Sequence, residues 1–132
     1  MPISFLEVPA GIRPDAKQRL IQEMSDALYE TFQVPDTRIY FREYPAENVA
    51  LDGKLQAEPM RPVCFLNVPP LEDMQAKRKL TERLQSALAE AYGRIADTDK
   101  LVIFFNHTLP ENAALGGRLF SDMRQTVEVG GR

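Results

Sequence analysis

The stretch Pro2-Ile3-Ser4-Phe5-Leu6-Glu7-Val8-Pro9 decides the fold, because it returns 60 residues later as Pro62-Val63-Cys64-Phe65-Leu66-Asn67-Val68-Pro69. Pro2, Phe5, Leu6, Val8 and Pro9 are repeated identically, and the same separation carries on downstream. There Lys17, Leu20, Ala27, Leu28 and Glu30 meet Lys77, Leu80, Ala87, Leu88 and Glu90. The separation then becomes 64, pairing the ENVALDG segment from Glu47 with ENAALGG from Glu111. The four extra residues fall between a helix and the next strand, where a longer loop costs little. An ordered, nearly gapless match of this kind marks an internal duplication.

Each copy reads as strand, helix, strand. The opening segments are short, β-rich and stopped by prolines. Leu20, Met24, Ala27 and Leu28, and again Leu80, Leu84, Ala87 and Leu88, recur at helical spacing with charges between them. Pro14 and Asp15 introduce the first helix, and Glu72 and Asp73 the second, as suits the positive end of a helix dipole. The second strands are expected over Arg38–Tyr44 and Leu101–His107, with Lys54–Arg61 joining the copies. The expected fold is α/β (α+β): tandem β-α-β units forming a four-stranded, mainly parallel sheet with two helices on one face, plus a short C-terminal hairpin. No flexible linker separates the copies, so the reading is a single domain over 1–132. It comprises a first unit over 2–53, a second over 62–117, and a C-terminal hairpin or tail over 118–132.

At 132 residues, with 44% hydrophobic and 27% charged residues, the composition is that of a soluble globular chain. A formal net charge of -3 argues against a nucleic-acid partner, which would need a basic face for phosphates. The run Leu101–Phe105 is too short to span a membrane, and the start lacks the pattern of a signal peptide. Cytoplasmic placement is the expectation. The single cysteine, Cys64, has no internal disulfide partner and aligns with Ser4 inside a strand, as a small core residue would. His107 is the only histidine, and no second ligand stands at metal-binding spacing, so no metal site is expected.

The two second strands differ. In the later one both faces are mainly apolar, with Leu101, Ile103 and Phe105 on one and Val102 and Phe104 on the other. That pattern predicts a parallel strand buried on both sides. The earlier strand keeps Ile39 and Phe41 on one face and places Arg38, Tyr40, Arg42 and Tyr44 on the other. Two readings of this stripe stand: a carboxylate receptor built from two guanidiniums flanking a phenol, or a solvated or interfacial face making salt bridges.

Several of these elements are similar to the tautomerase superfamily, whose smallest members are single β-α-β units beginning with proline. They are the Met1-Pro2-Ile3 start, Gly11 ahead of a helix with Lys17, Leu20 and Ile21, and the Val34-Pro35 step before a strand. With the duplication, the chain most resembles the fused or long members of the 4-oxalocrotonate tautomerase-like group, over nearly its whole length up to about Phe120. The resemblance implies a cofactor-free enzyme that moves a proton between oxygen and carbon of a 2-oxo acid or its enol. Its base would be the amine of Pro2, freed when Met1 is removed, as an initiator methionine before a small residue generally is. An α-amino group titrates about one unit above neutrality. Apolar surroundings and nearby cations lower that value and fit the amine for proton abstraction. Pro62 is an amide in mid-chain and cannot repeat the role, so one site per chain is expected.

Carried over residue by residue, the resemblance gives Pro2 as catalytic, with Arg13, Arg38, Tyr40, Arg42, Arg118 and Phe120 as candidate substrate-binding residues. The family arginine that directly follows the glycine is Ile12 here, with Arg13 one step later; Arg13 either replaces it or faces water. The family arginine of the second strand aligns with Tyr40, leaving Arg38 and Arg42 to either side. Arg118 and Phe120 after the Gly116-Gly117 turn either cap a pocket or form an ordinary hairpin at a subunit contact. Decarboxylase and dehalogenase relatives carry arginines before the second helix, where this chain has Pro69-Pro70-Leu71-Glu72. That absence weighs against those chemistries. The expected partner is a small carboxylated substrate, and the expected assembly, as in the family's fused members, is a homotrimer. The alternatives are a catalytically lapsed homologue and a ferredoxin-like ligand-binding or structural module.

Overall fold

A computed structural model describes residues 1–123. In chain order the elements are β1 (Ile3–Pro9), α1 (Pro14–Phe32), β2 (Arg38–Tyr44), β3 (Ala50–Leu51), β4 (Lys54–Leu55), β5 (Val63–Val68), α2 (Met74–Tyr92), β6 (Val102–His107), β7 (Ala114–Leu115) and β8 (Arg118–Leu119). The four long strands form one sheet in the order β2-β1-β5-β6. Within each unit the strands are parallel, β1 with β2 and β5 with β6, as a β-α-β crossover requires. The units meet antiparallel, with Ile3 opposite Asn67, Phe5 opposite Phe65 and Glu7 opposite Val63.

The sequence explains each helix end. Pro14 occupies the first turn of α1, where its missing N–H is no loss. Gln33 closes that helix in the left-handed conformation (φ 55°), its N–H donating to the Tyr29 carbonyl at 2.7 Å. Asp73 caps α2, its carboxylate accepting from the N–H groups of Gln75 (2.9 Å) and Ala76 (3.1 Å). Arg13 holds the equivalent place before α1 without a capping bond.

Both helices cover one face of the sheet. Leu6, Val8, Cys64, Leu66 and Val68 alternate inward from β1 and β5 onto Leu20, Met24, Ala27, Leu28, Leu80, Leu84, Ala87, Leu88 and Tyr92. The duplication persists in details the core does not dictate. Lys17 lies 5.0 Å from the Phe41 ring centroid, and Lys77 lies 5.1 Å from that of Phe105. Burial of Cys64 pushes its thiol up to about 12, which leaves it an inert packing group.

Three expectations change. The last core strand begins at Val102, with Leu101 closing a short 3-10 turn ahead of it. That strand is not buried on both sides: it is a sheet edge, and Val102 (44% exposed) and Phe104 (50%) face away from the helices. Apolar alternation reports a need for cover, and within one chain only the helix side supplies it. Finally, Lys54–Leu55 belongs to a small hairpin with Ala50–Leu51 rather than to the joining segment, and its counterpart pairs Ala114–Leu115 with Arg118–Leu119. The second hairpin therefore starts before residue 118, residues 120–123 form a helical turn, and the rest of the expected hairpin or tail lies outside the described residues. Among the described residues no helix is long and apolar enough to cross a membrane.

The unequal caps give a stability test. Asp73→Ala is expected to cost about 1 kcal/mol in urea unfolding at fixed protein concentration, whereas Arg13→Ala should leave the midpoint unchanged. Equal losses would contradict the capping assignment.

Candidate active site

The side of the sheet away from the helices is organised in rows set by strand register. One row runs Arg38, Ile3, Asn67, Asn106, the next Tyr40, Phe5, Phe65, Phe104, and the third Arg42, Glu7, Val63, Val102. The middle row is aromatic throughout. Phe5 stacks on Tyr40 with centroids 5.4 Å apart and rings 17° from parallel, and Phe65 stacks on Phe104 at 5.5 Å and 14°.

Pro2 lies at the start of β1, fully buried, its carbonyl accepting from the Arg38 N–H at 3.0 Å. The parallel pairing of β1 and β2 thus sets Arg38 beside Pro2, and the Arg38 guanidinium is exposed and has no partner among the described residues. Burial lowers the amino terminus of the chain, on Met1, below its ordinary value of 8.0, and the Asp36 carboxylate opposes that shift.

Arg42 stands four residues further along β2, roughly 13 Å from Arg38. Its Nε lies 3.1 Å from Oε2 of the largely buried Glu7, an ion pair without aligned hydrogen-bond geometry, and its guanidinium lies 4.3 Å from the Phe5 centroid. Glu7 also accepts from the Tyr44 hydroxyl at 2.5 Å, and this bond pushes the phenol above its usual range. Arg42 is therefore already neutralised, and the stripe read from β2 divides: Arg38 is open to an anion, while Arg42 is an internal ion pair. Arg13 follows the far end of β1, 84% exposed and bound to Asp15 at 3.1 Å. The length of β1, about 23 Å, separates it from Pro2 within one chain. Arg118 and Phe120 sit on and just after the second hairpin, the Phe120 N–H donating to the Ala113 carbonyl at 2.9 Å.

The antiparallel join brings the C-terminal ends of β5 and β6 to the Pro2 end of the sheet, with Asn67, Asn106 and His107. Asn67 and Asn106 were not singled out by the sequence; the signal was their alignment with Glu7 and Arg42, which becomes meaningful only once the register is known. The concavities of the single chain lie elsewhere. One runs between the helices along Ala16, Leu20, Ala87 and Ala91, and another lies beside α2 over Leu101 and Ile103; neither includes Pro2. Among the described residues no cluster of three or more His, Cys, Asp or Glu could hold a metal ion.

Residues 62–123 match the tautomerase family, described as tautomerase enzyme. No curated protein matches the chain. Among solved structures it is similar to a fused 4-OT, a 4-oxalocrotonate tautomerase in an asymmetric trimer, at 21% identity over 92% of this chain and 98% of that one, with a TM-score of 0.78. A macrophage migration inhibitory factor from Toxoplasma gondii matches at 16% identity over 89% and 99%, with a TM-score of 0.67. Malonate semialdehyde decarboxylase matches at 14% over 94% and 98%, with a TM-score of 0.69. At these identities the likeness carries the fold. The family match covers the second unit, and the similar solved structures share the two-unit fold of the whole chain.

Asp36 gives the amino terminus a testable electrostatic signature. Its carboxylate favours the protonated amine, so Asp36→Asn should lower the terminal pKa further, read by NMR titration of the first residue. An unchanged or raised value would exclude that coupling.

Proposed function

We propose that the chain is a cofactor-free keto–enol tautomerase for a small 2-oxo acid, with the secondary amine of Pro2 as base once Met1 is removed. One observation carries the reading: the start of β1 lies beside Arg38, an exposed guanidinium on the neighbouring strand without a partner among the described residues. An amine poised by burial and an adjacent cation are what proton abstraction next to a carboxylated carbonyl requires. Pro2 takes a proton from C3, and the C–H pair becomes the C2–C3 double bond. The carbonyl π pair moves to oxygen, which then receives the proton from the prolinium. Arg38 holds the substrate carboxylate throughout. Every bond made and broken is accounted for by one amine and one substrate.

Decarboxylation is the weaker reading. Residues 69–73 lead from β5 into α2 at the Pro2 end of the sheet, and they contain no arginine to polarise a departing carboxylate.

The assembly belongs to the proposal. Tyr40 (48% exposed), Val102 and Phe104 leave an apolar face uncovered in the single chain, and the similar fused 4-OT is a trimer. A homotrimer would cover that face and let Arg13 or the second hairpin of one copy approach Pro2 of another.

Intact mass should show loss of Met1, and the processed protein should ketonise phenylpyruvate enol with Pro2→Ala at least 100-fold slower. Equal rates for the two proteins would sink the catalytic reading and leave a lapsed homologue. Light scattering should return three times the 15.0 kDa chain mass, and Phe104→Arg should dissociate the assembly. A monomeric wild type would refute the trimer.

A further inference from the structure

The two polar rows on the helix-free face occupy equivalent places in the duplication yet differ in charge. Around Glu7 the carboxylate pairs in charge with Arg42 and accepts from Tyr44, so its row is internally neutralised. The positions that correspond to Glu7 and Arg42 in the second unit are Asn67 and Asn106. Their row ends at Arg38, whose guanidinium has no partner among the described residues. Asn67 points away from the helices, between the inward Leu66 and Val68. It is half-buried, and its side-chain amide makes no hydrogen bond among the described residues. The amide atoms remain open to solvent and so to a ligand, and they stand next to Ile3, one residue from Pro2, with Arg38 on the other side of that isoleucine.

We infer that Asn67 is a substrate-binding residue, its amide N–H donating to the 2-oxo oxygen while Arg38 holds the carboxylate across Ile3; this rests on the tautomerase reading of the same site. Arg38 and Asn67 lie two strand spacings apart, about 10 Å between backbones. A long guanidinium and a short amide can close that gap around a three-carbon 2-oxo acid lying over Ile3. A neutral donor suits the reacting oxygen, because its hydrogen bond strengthens as the oxygen gains negative charge in the enolate. A carboxylate there, as at Glu7 in the first unit, would repel the same charge. The second copy thus supplies to the Pro2 end a group that the first copy lacks.

The experiment uses Met1-processed protein and phenylpyruvate. Asn67→Ala should lower kcat about 100-fold with KM changed less than threefold, and the isosteric Asn67→Asp, which removes the donor and adds charge, should fall at least as far. If both variants stay within threefold of wild type, the inference is overturned; if Asn67→Ala does not fold, Asn67→Asp decides. A second readout is independent of turnover. The 15N side-chain signal of Asn67, assigned by its absence in Asn67→Asp, should move on titration with phenylpyruvate. A signal that stays fixed while others move would also overturn the inference. Equal rates for wild type and Pro2→Ala would refute the proline mechanism, whereas the amide shift would still decide the role of Asn67.

Discussion

β1 and β5 run antiparallel through the middle of the sheet, and the placement of every polar group follows from that pairing. Each β-α-β unit on its own is polar in the topological sense: both its strands point the same way, and their ends are chemically distinct. Joining two such units antiparallel sets the beginning of one beside the end of the other. The Pro2 end thereby gathers the start of β1 and β2, with Arg38, and the finish of β5 and β6, with Asn67, Asn106 and His107. The opposite end gathers Arg42, Glu7, Val63 and Val102. A parallel join would have put Pro2 beside Pro62 instead.

The two faces of this sheet are held by different forces. On the helix side, alternation from β1 and β5 meets two helices whose inward residues are duplicated almost position for position, and the result is a dry core. Area removed from water stabilises that side at about 25 cal/mol per Å². The other side is held by the aromatic row and by the Glu7–Arg42–Tyr44 group. Phe5 and Phe65 are half-buried at its centre, while Tyr40 and Phe104 at the edges remain about half exposed. An apolar row with open ends gains further stabilisation only from another surface. This links the proposed assembly to the packing of the strands, independently of any relative.

Much of this was legible in the sequence, and what was not has a common cause. Proline-bounded β segments, helical periodicity and the repeat defined two β-α-β units, because each of those signals is local. Alternation along Arg38–Tyr44 correctly assigned Arg38, Tyr40 and Arg42 to one face. It gave no neighbours, however, and the neighbour of Arg42 is Glu7 on another strand, so half of the supposed receptor is a closed ion pair. The same limit applies to Val102 and Phe104. Their apolar character was plain, but whether helix, strand or second molecule covers them depends on sheet order. Arg13 shows it once more: one step from the family position in sequence, it is a strand's length from Pro2 in space.

The proposed single site on a copied scaffold then has a physical rationale. The nitrogen of Pro62 is bonded to Arg61 and has no lone pair to offer a proton. The row beside it has lost the anion-binding charge as well, because Glu7 cancels Arg42, and Val63 and Val102 fill the remaining places. That end is largely apolar and its charges are paired, which favours packing. The Pro2 end keeps the reverse arrangement, a cation and an amide that have no partner among the described residues and stay open to solvent. Open polar groups suit the end proposed to take a ligand, and on that proposal the duplication has separated stability from chemistry.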